Sequence, residues 1–301
     1  MLVSLPGMNR DNQEYTDTVI AELRPREMWD LIAASDCQYL LVSDAPHTNP
    51  AIKSQFAPAL SLLAFDGFRH LALEWPQTSL QPVIDAYNQA PPDRENEDKA
   101  LQQLFGDMAV RVPPRVAFSE ADQIRFCHLD TAMIVAGKRY GMQITALNPD
   151  MPPLENYMQG ETPETQTRMT AAHAHHYLHG RYPAILSRSE EQRLDGYINQ
   201  HVRYNLSLDR QRAEKFRAIT GARRGSIMFG PAHFRGAGQQ GIDDFLPQDK
   251  TAYVMMGDSF TVQRLMEGNC PVPLRTPDFA VLTDLGVAYA TPAALRHGLL
   301  P

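Results

Sequence analysis

Two short apolar runs separated by one helix-length segment constrain the topology of this chain more than any other feature. Tyr39-Leu40-Leu41-Val42 is a continuous apolar run of the kind that forms a strand buried on both faces, and it breaks into Ser43-Asp44-Ala45-Pro46-His47, read as a polar loop. Thr48 or Asn49 can cap the next helix, with Pro50 in its first turn. Ile52, Phe56, Leu60 and Leu63 line one face of that helix, and Gly67 stops it. Arg69-His70-Leu71-Ala72-Leu73-Glu74 then reads as a second strand. Strand, helix, strand at this spacing predicts a right-handed parallel crossover.

The same grammar runs through the rest of the chain. A helix is predicted over Arg26 to Ala33, behind Pro25. Ala90 to Lys99 is charged and proline-led, which predicts a surface excursion before a short helix at Leu101 to Phe105. Glu120 to Tyr140 has helical spacing at Ile124, Leu129, Met133 and Ile134, and Gln143 to Leu147 is strand-like. Pro149 to Thr165, rich in Pro, Glu, Asn and Thr, reads as a loop or lid, the start of an insertion over about 149–185. Glu190 to Thr220 reads as one long helix on Leu194, Ile198, Val202, Leu206 and Phe216, with Gly196 its weakest point. Strands follow at Ser226 to Phe229, Ala252 to Met256, Phe279 to Leu282 and Val287 to Ala290, then a short terminal helix. The expected fold is a single α/β domain over 1–301, its central, mostly parallel sheet flanked by helices on both faces, after a polar leader of about 20 residues.

Composition narrows the function classes. Asp and Glu total 35 against 28 Lys and Arg, a net charge of −7, and no dense basic run occurs, so nucleic acid is not an expected partner. Three widely spaced cysteines, Cys37, Cys127 and Cys270, support neither a disulfide framework nor a thiolate zinc site. No run approaches the ~18 apolar residues of a membrane span, and the leader lacks a secretory apolar stretch. The expected location is the cytoplasm, or export by a dedicated bacterial machine without a cleaved signal peptide.

In parallel sheets ligands gather beyond the carboxyl ends of the strands. Asp44 and His47 follow the first strand, Glu74 ends the second, and His233 follows the strand at Ser226. Imidazoles beside carboxylates can act as general bases or hold a divalent cation, with His47, Glu74 and His233 as candidate ligands. Two other patterns carry less weight. Gly236-Ala237-Gly238-Gln239-Gln240-Gly241 matches a dinucleotide fingerprint, but Pro247 interrupts the helix that should follow. His173-Ala174-His175-His176-Tyr177-Leu178-His179 offers helical pairs that could bind zinc, copper or haem, although a solvent-facing patch is the simpler expectation.

Asp44-Ala45-Pro46-His47, Leu71-Ala72-Leu73-Glu74 and Phe229-Gly230-Pro231-Ala232-His233-Phe234-Arg235-Gly236 together resemble, in order and approximate separation, the motifs of the superfamily of erythromycin esterases, ChaN-type haem-binding lipoproteins and TraB/Tiki proteins. The first motif carries Asp44 where glutamate is usual. The arginine–asparagine pair of the long helix corresponds to Arg203-Tyr204-Asn205, with one residue inserted. The resemblance implies an EreA/ChaN-like fold, shared with some bacterial effectors. It implies a hydrolase acting on an ester or related bond of a small molecule, with His47 as base or ligand, Glu74 as second acid, His233 as partner imidazole, Asp44 as orienter, and Arg203 and Asn205 shaping the pocket. The alternative it implies is a haem- or ligand-binding protein, or an effector engaging a host component, that keeps the fold without turnover.

Overall fold

The computed structural model describes residues 21–45, 50–91, 93–110, 131–179, 182–235, 238–268, 270 and 272–300. The chain divides into two compact units. The first combines Met1–Trp75, Ala132–Leu147 and Asp209–Pro301; the second combines Pro76–Thr131 and Asn148–Leu208.

The strands, in chain order, are β1 (Ala21–Leu23), β2 (Tyr39–Ala45), β3 (Phe68–Gln77), β4 (Gln143–Asn148), β5 (Arg224–Phe229), β6 (Thr251–Gly257), β7 (Phe279–Leu282) and β8 (Val287–Ala290). Among the described residues they form one sheet in the order β1-β8-β7-β6-β2-β5-β3-β4. The pairs β6–β7, β2–β6, β2–β5 and β3–β5 are parallel, while β7–β8 and β1–β8 are antiparallel. Every residue of β2 and of β6 is buried, which is why their stretches 39–42 and 252–256 read as continuous apolar runs rather than alternating ones.

The first unit contributes α1 (Pro25–Ala34), α2 (Pro50–Phe65), the helical residues 132–139 (α5), α8 (Asp209–Thr220), α9 (Ser259–Met266) and α10 (Pro292–Arg296). Trp29 of α1 packs on Phe56 of α2 with ring centroids 5.5 Å apart. Tyr39, Leu41, Ile227, Phe229, Phe216, Phe234, Tyr253 and Met255 belong to one apolar cluster that fixes α8 on the sheet. The second unit holds α3 (Gln81–Gln89), α4 (Arg94–Val110), α6 (Pro163–His179) and α7 (Arg188–Ser207). Its small core is Met158, Met169, Ala172 and Leu194, with Tyr197 and Ile198 packed against it.

Four sequence expectations change. Ser43 and Asp44 are not in a loop: β2 keeps its pairing to β6 through Ala45, opposite Gly257. The long helix read across 190–220 breaks at Leu208, where α7 ends and α8 starts. The charged stretch read as an excursion is helical from Arg94. Asp93 Oδ1 accepts from the Asn96 N–H at 3.0 Å as a cap, and Glu95–Lys99 pairs at i,i+4 support the first turns. The 149–165 stretch includes a 3-10 turn, Leu154–Tyr157, and the start of α6, and Met158 is fully buried in the core of the second unit. Thr48, Asn49 and most of the helix expected at 120–140 lie outside the described residues.

The carboxyl ends of β2 and β6 are pressed together with no room for a side chain. A Cβ on Gly257 would fall 2.4 Å from the Ala45 carbonyl oxygen and 3.0 Å from Val262 Cγ2. Gly257→Ala is expected to lower stability by about 1–3 kcal/mol through backbone displacement. The check is a denaturant titration, and an unchanged midpoint would contradict this close approach.

Candidate functional site

β5 delivers its chain into Gly230 and a 3-10 turn, Pro231–His233, which turns the His233 ring back under the strand end. The ring packs edge-on against Phe229 at 5.2 Å between centroids and is almost wholly buried. Its Nδ1 lies 2.6 Å from Asp209 Oδ1 and its Nε2 lies 3.3 Å from Glu74 Oε1. Glu74 reaches the site from β3, and its second oxygen accepts the Gly230 N–H at 2.8 Å. The imidazole is therefore held between two carboxylates delivered by different elements.

Asp209 is the anchor. It is the first residue of α8, fully buried, in the first turn where the positive end of the helix dipole favours an anion. Arg212, one turn along, donates from Nη1 to Asp209 Oδ1 at 2.7 Å, and Arg235 donates from Nη2 to Oδ2 at 2.7 Å. Arg212 itself is buried, with its guanidinium carbon 5.7 Å from the Phe229 ring centre. One carboxylate thus meets two guanidiniums and an imidazole, the arrangement that lets charges stay ionised away from water.

The electrostatics of His233 follow from this packing. Burial pulls its pKa down, but the Glu74 charge, the hydrogen bonds to Asp209 and Glu74, and the Asp209 charge outweigh it, so the net direction is upward. The folded state then binds the proton more tightly than the unfolded one does. The resulting stabilisation is complete below the ordinary histidine value, and it is lost as pH rises through the elevated folded value.

The sequence-derived candidates distribute as follows. Glu74 and His233 meet directly. Asp44, buried in β2, has its carboxylate 3.9 Å from Lys53 Nζ of α2. His47 lies outside the described residues. Arg203 and Asn205 lie on α7 in the second unit, and Arg203 is exposed. His233 meets Asp209 directly, and Arg212 and Arg235 in turn hold Asp209; sequence reasoning missed all three, Arg235 although it stands within the third motif. The available signal was an aspartate and an arginine three residues apart on one helical face.

Metal ligation was expected of His47, Glu74 and His233. His233 Nε2 and Glu74 Oε1 are two donors in proximity, with Asp209 fixing Nδ1 as the outer partner of a metal-bound imidazole would. Among the described residues, no group of three or more His, Cys, Asp or Glu is arranged to hold a metal ion. The glycine-rich loop departs from a nucleotide cradle. Asp244 accepts the N–H groups of Gly238 and Gln240 at 3.1 and 2.7 Å, so a protein carboxylate takes donors that a phosphate would need. A 3-10 turn, Ile242–Phe245, stands where the crossover helix would begin.

The histidine-rich run corrects the expectation of a solvent-facing patch. Ring nitrogens Nδ1 of His173, His176 and His201 are buried without a hydrogen-bond partner among the described residues. His176 stacks on Tyr182 at 4.4 Å, and His201 meets Tyr157 edge-on at 5.4 Å. Burial, then the nearby His201 and His176, push His173 down to about 4. Here the sign is opposite to His233: the unfolded chain takes up the proton first as pH falls. His173 should therefore stabilise the second unit above about pH 6.5 and lose about 3 kcal/mol between there and about pH 4. Hydrogen exchange of α6 and α7 across that interval is the measurement, with His173→Phe expected to flatten the response. A wild-type response no steeper than that of the variant would refute it.

No family model matches this chain, and no curated protein matches its sequence. Two solved structures are similar. The type III effector HopBA1 matches with a TM-score of 0.46 and 15% identity over 79% of this chain and 87% of its own. RRSP, a MARTX toxin effector domain from Vibrio vulnificus CMCP6, matches with a TM-score of 0.41 and 16% identity, over 80% of this chain and 37% of its own. Among the described residues no helix is long and apolar enough to cross a membrane.

Proposed function

We propose that this chain is a hydrolase acting on an ester or related bond, with the Glu74–His233 pair as its acid–base centre. The observation that carries the reading is the His233 imidazole held between Glu74 and Asp209 at the carboxyl ends of parallel strands. His47, from the segment after β2, takes a proton from water. The water oxygen bonds to the carbonyl carbon, and the tetrahedral intermediate collapses with cleavage of the ester C–O bond. The imidazolium of His233, in partnership with Glu74, returns a proton to the departing alkoxide. Asp209 acts as a positioning residue that fixes the ring through Nδ1, and the hydrogen bonds from Arg212 and Arg235 hold Asp209 in place. This assignment accords with the motif resemblance to the erythromycin esterase, ChaN and TraB/Tiki superfamily. Its metal-assisted branch would use His47, Glu74 and His233 on Mn, Co or Zn.

The test is turnover of an ester panel by the full chain, with and without added Mn, Co or Zn, beside His47→Ala. Hydrolysis by the wild type that His47→Ala removes is the expected result. Turnover that survives His47→Ala overturns the assignment, as does a wild type inactive under every condition.

A second reading is favoured by the burial of His233 and by the completeness of its hydrogen bonding. In it the chain is a bacterial effector that binds a host component without turnover, and the charged cluster stiffens the strand ends. Saturable partner binding that persists in His47→Ala, with no hydrolysis, would select it.

A further inference from the structure

The first unit carries an open cavity of about 430 Å³ whose wall includes Arg235, Arg275, Arg296, His297, Gln239 and Gln248. Among the described residues no aspartate or glutamate lines it. The acids paired with two of these side chains, Asp209 with Arg235 and Asp278 with His297, are both completely buried and form no part of the wall. The cavity thus presents three guanidiniums, an imidazole and two amides, with no carboxylate on its described wall.

Arg275 is the informative member. It is 8% exposed, yet its Nη1 is buried with no hydrogen-bond partner among the described residues. Its Nη2 donates to the Thr251 carbonyl oxygen at 3.2 Å and lies 3.5 Å from His297 Nδ1 and 3.6 Å from Asp278 Oδ2. His297 Nδ1 has meanwhile taken the near oxygen of Asp278, at 2.6 Å. A buried guanidinium short of acceptors is costly, and a buried polar group left unmatched calls for an explanation. Nη1 itself is sealed from the cavity, so an anion there would meet Arg275 along the part of the side chain that lines the wall, with Arg296 beside it; the planar arginine fork matches the oxygens of a phosphoryl group, and the multiple positive charges suit a dianion better than a single carboxylate.

We propose that this cavity is a binding site for a phosphoryl group, ligated by Arg275 and Arg296, with Arg235 adding charge and Gln239 and Gln248 adding neutral donors. The inference does not rest on the hydrolytic reading, although the two places share Arg235, whose Nη2 also holds Asp209. Free inorganic phosphate and the phosphomonoester of a larger molecule share this chemistry.

Calorimetric titration of the full chain with inorganic phosphate, pyrophosphate and adenosine monophosphate, with adenosine as the uncharged control, tests the site. Saturable binding of at least one phosphate compound and none of adenosine is expected. Tighter binding of the monophosphate than of inorganic phosphate identifies a phosphomonoester source; the reverse order identifies the free ion. Arg296→Ala, an exposed position on a short helix, is expected to weaken binding about tenfold with an unchanged melting temperature, and Arg275→Gln at least as much. Should Arg275→Gln fail to fold, Arg296→Ala decides. Absence of saturable binding, or affinity unaltered in Arg296→Ala, overturns the proposal.

Discussion

Asp209→Ala is expected to cost the first unit about 3–5 kcal/mol, the penalty for deleting one member of a buried ionic set and leaving the others uncompensated. The carboxylate accepts from Arg212, Arg235 and His233 within 2.7 Å, and both it and Arg212 are shut from solvent. Water cannot reach the Arg212 guanidinium to replace what is lost. Asp209→Asn, which keeps an acceptor oxygen but not the charge, should fall between wild type and alanine. Fluorescence makes the measurement selective, because both tryptophans of the chain, Trp29 and Trp75, belong to the first unit. A urea titration in which Asp209→Ala shifts that signal by less than about 1 kcal/mol would show that the cluster is not the keystone described above.

The second large effect concerns turnover. Under the proposed hydrolytic reading, Glu74→Gln should reduce kcat by about 10²–10⁴-fold, the usual span for a positioned acid–base group. The amide can still accept the Gly230 N–H, so folding should be close to intact. A further readout separates this from structural damage. Glu74 is the charge that most raises the His233 pKa, so its neutralisation should move the alkaline limb of the pH–rate profile to lower pH. A variant that loses activity with its pH profile in place would assign Glu74 to something other than proton transfer with His233.

Much of the sheet was legible because strands buried on both faces are written as apolar runs. β2, β5 and β7 stand out for that reason, and the single helix between β2 and β3 predicts their parallel direction. Their pairing through β5, inserted between them, was not legible, since nothing local in Tyr39 to Glu74 records a strand that arrives at Arg224. Glu74 and His233 could be singled out as polar residues at strand ends. Asp209 could not, because Leu208 caps α7 at φ −88° and ψ 0°, close enough to helical geometry that the apolar rhythm from Leu194 to Phe216 runs on undisturbed. A helix read as continuous hides the place where a new one begins, and it was at that junction that the anchor lay. The charged run at Arg94 failed differently: cap and ion pairs, rather than an apolar stripe, sustain its first turns.

The arrangement of the first unit has a consequence for biosynthesis. Its chain is interrupted twice by the second unit, and β2 finds both of its neighbours only after Arg224 and Thr251 have been made. On the ribosome this fully buried strand must therefore wait, unpaired, through most of translation. During that interval a chaperone, or a secretion apparatus that accepts unfolded clients, would meet an exposed hydrophobic segment rather than a finished sheet. Truncation before β6 should leave β2 with an open edge and an insoluble product.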